Sequence, residues 1–272
     1  MLCDLHTHTH HSFDGDPSAQ ASAMAQAAVD AGVGVLALTD HCEVNGQIEG
    51  IYPHFDQAAS FAEITAARDA FSDRLTLLRG IELGQPMEYP EQALAMKEAY
   101  DYDFVILSLH NIPGVPDFYL LRPERMSQQH LHALYDRLLD EMIRSVAFPG
   151  VHTLAHMTYP CRYVAEAGGT FDLSVHTPRI MRLFEAMCKN DVALELNVST
   201  HWKGLGFTMP DREILTLYKQ FGGELVTIGS DAHAPCNVGR SIAHGFSLLA
   251  ECGFDHITAY KNGKQIAIPI TE

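Results

Sequence analysis

The chain has 272 residues, 47% of them hydrophobic and 19% charged, which suits one large globular core and excludes a disordered or fibrous chain. Acidic side chains number 34 against 18 basic ones, and the resulting formal charge of −16 sets up a field that repels nucleic-acid backbones and anionic lipid. The same chain carries 16 histidines, so imidazoles and surplus carboxylates pose metal binding as the first functional question.

Strand-like and helix-like segments alternate from one end to the other. An apolar run at 2–6 is followed by an Ala-rich helical stretch at 18–31, closed by Gly32, and by the buried-strand pattern VGVLALT at 33–39. Over 56–71 the residues Ala58, Phe61, Ile64, Ala67 and Phe71 recur at helical spacing. A strand is expected at 75–83, a short helix at 91–100, a strand at 104–109 and a long helix at 123–146, with Pro123 in its first turn. Then come a short strand at 152–155, a helix at 178–189 and a strand at 193–198. A helix at 210–221 closed by Gly222 and Gly223, a strand at 225–229 and a helix at 241–251 closed by Gly253 complete the series. A last strand-like stretch at 256–260 runs into the turn Lys261-Asn262-Gly263-Lys264.

Seven βα units without a linker between them predict a parallel sheet covered by helices, and their number favours closure into a barrel, with 1–272 as a single domain. In such barrels the working residues sit where strands end. The expected strand ends read His6-Thr7-His8 with Asp14 beyond, Asp40-His41, Glu82, His110, His156, Asn197 and Asp231-Ala232-His233. His6 and His8 are two residues apart, so on a strand they face the same way and can share one ion; Asp231 and His233 repeat that spacing. Six histidines and three carboxylates are too many ligands for one ion with about four to six positions, so two or three divalent ions are expected. Zinc, iron and manganese all suit such donors. Clustered ions about 3.5–4 Å apart serve phosphoester hydrolysis by lowering the pKa of bound water and neutralising the transferring group.

The remaining histidines (His10, His11, His54, His130, His132, His152, His176, His201, His244 and His256) lack strand-end support. His130 and His132 are expected on a solvated helix surface, and His152 in the core. No basic segment followed by an apolar stretch opens the chain, no apolar run approaches the ~20 residues that span a bilayer, and the six scattered cysteines form no C-x-x-C pair. A cytoplasmic protein with reduced thiols, not bound to membrane, is the expectation.

The motifs Asp4-Leu5-His6-Thr7-His8, Thr39-Asp40-His41, Gly80-Ile81-Glu82, Ser108-Leu109-His110, Leu154-Ala155-His156 and Gly229-Ser230-Asp231-Ala232-His233 together resemble those of the polymerase and histidinol phosphatase (PHP) family. The resemblance implies a distorted seven-stranded TIM-like (β/α) barrel with a trinuclear metal centre. It is similar in particular to the stand-alone histidinol phosphatases, with Pro235 and Val238-Gly239 following the last motif. Their usual residues after the fifth-strand histidine and sixth-strand asparagine are replaced here by Met157-Thr158 and by Val198-Ser199-Thr200-His201-Trp202-Lys203. By resemblance one ion takes His6, His8, Glu82 and Asp231. Glu82 bridges to a second ion on His110 and His156, and a third takes Asp14, His41 and His233. Glu82, Asp231 and His233 stand at the reacting centre, where hydroxide activated by the ions attacks phosphorus.

Asp40, beside a ligand, is expected to orient it. Arg162, Lys203 and Arg240 follow strand ends and are candidates for phosphate. Asn197 is expected to point into the pocket as a donor, and Tyr159, Trp202 and Phe207 are candidates for contact with an organic group. The implied activity is release of phosphate from L-histidinol phosphate, a small substrate. Nucleotides, phosphotyrosine or short oligonucleotides remain alternatives, as does a metal-binding PHP domain without turnover. An amidohydrolase-type site is disfavoured by the Asp231-x-His233 ending. Long nucleic acid is not expected as a partner, and the sequence leaves the oligomeric state open.

Overall fold

A computed structural model describes residues 1–270. Its strands are β1 (Leu2–Thr7), β2 (Val33–Leu38), β3 (His41–Glu43), β4 (Thr76–Gly84), β5 (Phe104–Ser108), β6 (Thr153–Leu154), β7 (Ala193–Asn197), β8 (Val226–Gly229), β9 (His256–Lys261) and β10 (Lys264–Pro269). The α-helices are α1 (Ala21–Asp30), α2 (Val44–Glu49), α3 (Gln57–Ala70), α4 (Pro90–Glu98), α5 (Gln128–Ser145), α6 (Tyr159–Glu166), α7 (Thr177–Lys189), α8 (Ser199–Trp202), α9 (Arg212–Phe221) and α10 (Ile242–Glu251).

Seven parallel strands run side by side in the order β1-β2-β4-β5-β6-β7-β8, and β3 prolongs the β2 edge by pairing His41 with Glu82 on β4. The sheet closes on itself. The His6 carbonyl accepts the Asp231 N–H at 2.8 Å, and the Ala232 carbonyl accepts the His8 N–H at 2.8 Å. The result is the seven-stranded barrel that the alternation predicts, in the distorted TIM-like form that the family resemblance implies. Runs such as FVILS in β5 are buried along their whole length, because a strand between barrel interior and helix layer faces no water on either side.

Helix ends follow side-chain chemistry. Asp56, Ser127 and Asp211 accept the backbone N–H of Ala59, His130 and Ile214, which caps α3, α5 and α9. Ser127 also corrects the expected helix at 123–146. Pro123–Arg125 forms a separate one-turn 3-10 helix, Met126 is extended, and α5 begins only after the Ser127 cap. Five of these elements went unpredicted: β3, β10, and the short helices α2, α6 and α8 in the loops that follow strand ends. The expected strand at 256–260 is half of a hairpin, β9 with β10, outside the barrel sheet.

His152 packs where this hairpin meets the barrel. Its ring stacks on Tyr260 at 4.5 Å and its Nδ1 accepts the Val105 N–H at 2.9 Å, so core packing is its role. Burial, and then the Lys97 charge, hold its pKa down to about 4. The folded state keeps the ring neutral, whereas the unfolded chain takes up the proton near pH 6.5. This contribution to stability is therefore present above about pH 6.5 and is lost as pH falls toward 4. Between about pH 7 and pH 5 the melting temperature is expected to drop more in the wild type than in His152→Gln. Equal drops by calorimetry would remove His152 from the acid limb.

Candidate metal centre

The nine strand-end residues converge at the C-terminal mouth of the barrel around one carboxylate. Glu82, fully buried at the end of β4, turns Oε1 toward His156 Nε2 (3.1 Å) and His110 Nε2 (3.4 Å). Its Oε2 faces His41 Nδ1 (2.7 Å), His6 Nε2 (3.5 Å) and His8 Nε2 (3.6 Å). Asp231 Oδ1 stands 3.5 Å from His8 Nε2. Asp14 lies 3.5 Å from His41 Nε2 and 3.2 Å from His233 Nε2.

Local backbone geometry sets these positions. His156 and Asp231 adopt positive φ angles of 26° and 55°, values that non-glycine residues rarely hold unless the surroundings enforce them. Gly229 in the Gly-Ser-Asp-Ala-His motif is required by space: a Cβ there would lie 2.2 Å from the His6 Cβ and 2.8 Å from Glu195 Oε1. Gly84 similarly leaves room for Glu43, whose Oε2 would sit 2.3 Å from an added Cβ.

Glu43 and Glu195 are the residues that strand-end logic misses. Glu195 Oε1 accepts from His6 Nδ1 at 2.6 Å, while its Oε2 accepts the His156 backbone N–H at 2.8 Å. Glu43 Oε1 accepts from His110 Nδ1 at 2.7 Å. One signal was available: each is an acidic residue two positions from a residue already singled out (His41 for Glu43, Asn197 for Glu195), and Glu195 also stands inside an otherwise apolar strand. Asp40 acts at one remove. It accepts from Thr9, Ser12 and Ser60, and the Ser12 hydroxyl in turn lies 3.1 Å from His8 Nδ1.

Electrostatics keep Glu82 ionised and His8 neutral, while against burial the neighbouring carboxylates hold His6, His41 and His110 well above the usual imidazole value. Burial works to raise the Glu82 pKa, but His41, His6 and His110 hold it well below the ordinary carboxylate range. Burial, together with His233 and His41, holds the His8 ring well below the usual imidazole value, hence neutral with a free lone pair. His6 Nε2, His8 Nε2, His41 Nδ1, His233 Nε2 and Glu82 Oε2 are buried, and none makes a hydrogen bond. Native proteins seldom tolerate so many orphaned polar atoms in one place. Divalent cations would satisfy all five at once, and the triplets His6-His8-Asp231, His6-Glu82-His156 and His8-His41-His233 each place their ligand atoms within 4.8 Å of one another.

The chain matches the PHP domain family model over residues 4–199, well over half its length. It belongs to the PHP domain family. This PHP protein is 24% identical over 232 residues to the probable histidinol-phosphatase of Clostridium acetobutylicum, with 83% of this chain and 86% of that one covered. It is 32% identical over 169 residues to the probable histidinol-phosphatase of Thermotoga maritima, covering 61% and 62% of the two chains. Histidinol phosphate phosphatase from Lactococcus lactis, solved in complex with zinc, L-histidinol and phosphate, superposes with a TM-score of 0.80 at 20% identity, over 97% of this chain and 98% of that one. A structure of the putative histidinol phosphatase from Listeria monocytogenes gives 0.75 at 17% identity, over 89% and 98%. These superpositions concern the fold.

Above the centre opens a cavity of about 1030 Å³ whose floor includes His41, His110, His156, Asp231 and His233. Of the expected substrate residues, Arg162 and Lys203 line it, as do Tyr159 and Trp202. Arg240 does not. It is exposed, and its guanidinium lies over the Trp202 ring at 5.1 Å, so it supports the wall from outside. Asn197 is also displaced from its expected role. Fully buried beneath the centre, its amide reaches Asp231 Oδ2 (3.4 Å) and Glu195 Oε2 (3.3 Å), and its carbonyl oxygen is taken by Ser199. Phe207 likewise lies outside the lining.

Proposed function

We propose that this PHP protein is a metal-dependent phosphomonoesterase whose substrate is L-histidinol phosphate. The observation that carries the reading is the knot of nine ligand side chains with Glu82 at its centre, four of its nitrogens and one oxygen buried and orphaned, opening into a cavity with basic residues on its wall. His6, His8, Glu82 and Asp231 would hold one ion. Glu82 with His110 and His156 would hold a second, and Asp14, His41 and His233 a third. Zinc, iron or manganese fit these donors. When bound, the ions supply positive charge for the phosphate oxygens and a water that ionises near neutral pH. The protein's own part is placement. Arg162 and Lys203 steer and fix the phosphate, and the carboxylates behind His6 and His110 hold the rings in register.

The cavity wall supports an amine-bearing substrate. The segments after β6 and β7 contribute Arg162, Trp202 and Lys203, whereas those after β3, β4 and β5 contribute Glu49, Glu88 and Asp117. A phosphoester that also carries an ammonium and an imidazole matches such a divided wall better than a dianionic nucleotide does. Curated relatives of similar length bear the name histidinol-phosphatase. Residues 1–272 as a single PHP domain and a cytoplasmic location belong to the same proposal. Among the described residues no helix is long and apolar enough to cross a membrane, and all six cysteines are free thiols.

Phosphate release measured across histidinol phosphate, nucleoside monophosphates and phosphotyrosine tests the substrate. The first is expected to give the highest kcat/KM, and release from none of them would remove the enzymatic reading. Arg162→Ala is expected to raise KM roughly tenfold, the scale of one charge-assisted hydrogen bond, while Arg240→Ala changes it less than about twofold. Steady-state kinetics on the two variants check this, and the reverse ranking would relocate the phosphate site.

A further inference from the structure

A second histidine cluster lies outside the buried centre, on the loop that follows β1. His11 Nε2 stands 2.8 Å from Glu63 Oε2, and His10 Nε2 stands 3.6 Å from the same oxygen. The three ligand atoms lie within 4.8 Å of one another. Glu63 comes from α3, and its other oxygen accepts the Ala21 N–H at 2.8 Å, which fixes the carboxylate at the start of α1. The His10 ring makes no hydrogen bond to protein: Nδ1 is buried without a partner, and Nε2 is too far from Glu63 to hydrogen-bond. Both histidines also border a small hollow of about 240 Å³, which His54 lines as well.

We propose that His10, His11 and Glu63 form a further divalent-cation site of the zinc class, reachable from solvent and distinct from the centre around Glu82. Donors arranged tetrahedrally around zinc at about 2.0–2.2 Å stand about 3.3–3.6 Å apart; the His10–Glu63 distance of 3.6 Å falls at the upper end of that spacing and the His11–Glu63 distance of 2.8 Å is shorter than it. The buried centre shows the same signature, with imidazole nitrogens 2.7–3.6 Å from Glu82 oxygens. Two neutral imidazoles and one carboxylate select zinc or a neighbouring transition metal over magnesium or calcium, which need more oxygen ligands. With side chains about one third exposed (33% for His10, 32% for Glu63), the ion would keep water ligands and exchange more readily than the buried ones. It would also tie the loop that carries Phe13 and Asp14, both in the cavity wall, to α3.

The site does not depend on the phosphatase reading, and its test is binding of the metal alone. Holoenzyme is dialysed against buffered free zinc, and zinc per chain is measured for wild type, Glu63→Gln and His10→Gln. Glutamine at 63 keeps an oxygen for the Ala21 N–H but loses the anionic ligand, and His10→Gln removes a ligand that makes no hydrogen bond. The wild type is expected to bind one more zinc per chain than either variant, the extra ion leaving first as free zinc falls. In the variants its affinity should drop at least roughly tenfold, the lower bound of losses at supporting residues. Cobalt substituted at the weak site should add a visible absorption band in the wild type that both variants lack. Equal zinc content and equal cobalt spectra in wild type and either folded variant would overturn the site, whatever the substrate proves to be.

Discussion

Glu82→Gln is expected to lower phosphate release by more than about 10³-fold and to cost the protein two of its metal ions, since even supporting residues of metal sites are worth 10–100-fold. The carboxylate is the one group that faces five imidazoles: Oε1 toward His110 and His156, Oε2 toward His6, His8 and His41. An amide of the same shape offers one oxygen and one NH₂, and the NH₂ cannot ligate a cation. It also removes the one carboxylate that faces all five of these rings. The imidazole lone pairs would remain, but without that charge in their midst the pocket's attraction for a cation would fall sharply. Metal analysis beside turnover on histidinol phosphate decides the matter, with circular dichroism as the control for folding. Wild-type metal content together with wild-type turnover would dismantle the assignment of Glu82 as a bridge.

Much of this was legible in the sequence, for a physical reason. A parallel barrel puts functional residues at strand ends, and strands buried on both faces read as plain apolar runs, so His6, Glu82, His110, His156 and Asp231 stood out against VGVLAL and FVILS. What stayed hidden depends on tertiary contacts. Glu43 and Glu195 act on histidines 67 and 39 to 189 residues away, and no local pattern encodes such pairings. Asn197 and Arg240 were misplaced for a related reason. Strand-end position gives the rim but not the depth: Asn197 points under the centre toward Asp231, and Arg240 folds back over Trp202. Pro123 misled because a proline suits the first turn of any helix, including the 3-10 turn it actually opens.

Glu195→Gln is expected to weaken metal affinity about 10–100-fold and to lower kcat at limiting metal, with KM for the phosphoester nearly unchanged. Glu195 touches neither the cavity nor a substrate position, so its effect must pass through the residues it holds. The carboxylate receives three donors: the His6 ring at 2.6 Å, the His156 backbone N–H at 2.8 Å and, more weakly, the Asn197 amide at 3.3 Å. A glutamine has one acceptor oxygen, so one of those contacts becomes donor against donor at a site that is 1% exposed. Either outcome harms the centre. If His6 loses its acceptor, its ring is free to turn away from Glu82, which its Nε2 faces at 3.5 Å. If His156 loses its anchor, the backbone is released from a φ of 26° that only its surroundings enforce, and its ring leaves the position 3.1 Å from Glu82. Competition with a chelator gives the affinity, and kinetics at saturating and limiting zinc separate positioning from chemistry. Recovery of most activity in excess zinc is the expected mark of a positioning residue. A raised KM with unchanged metal affinity would instead place Glu195 in contact with substrate, against the geometry described above.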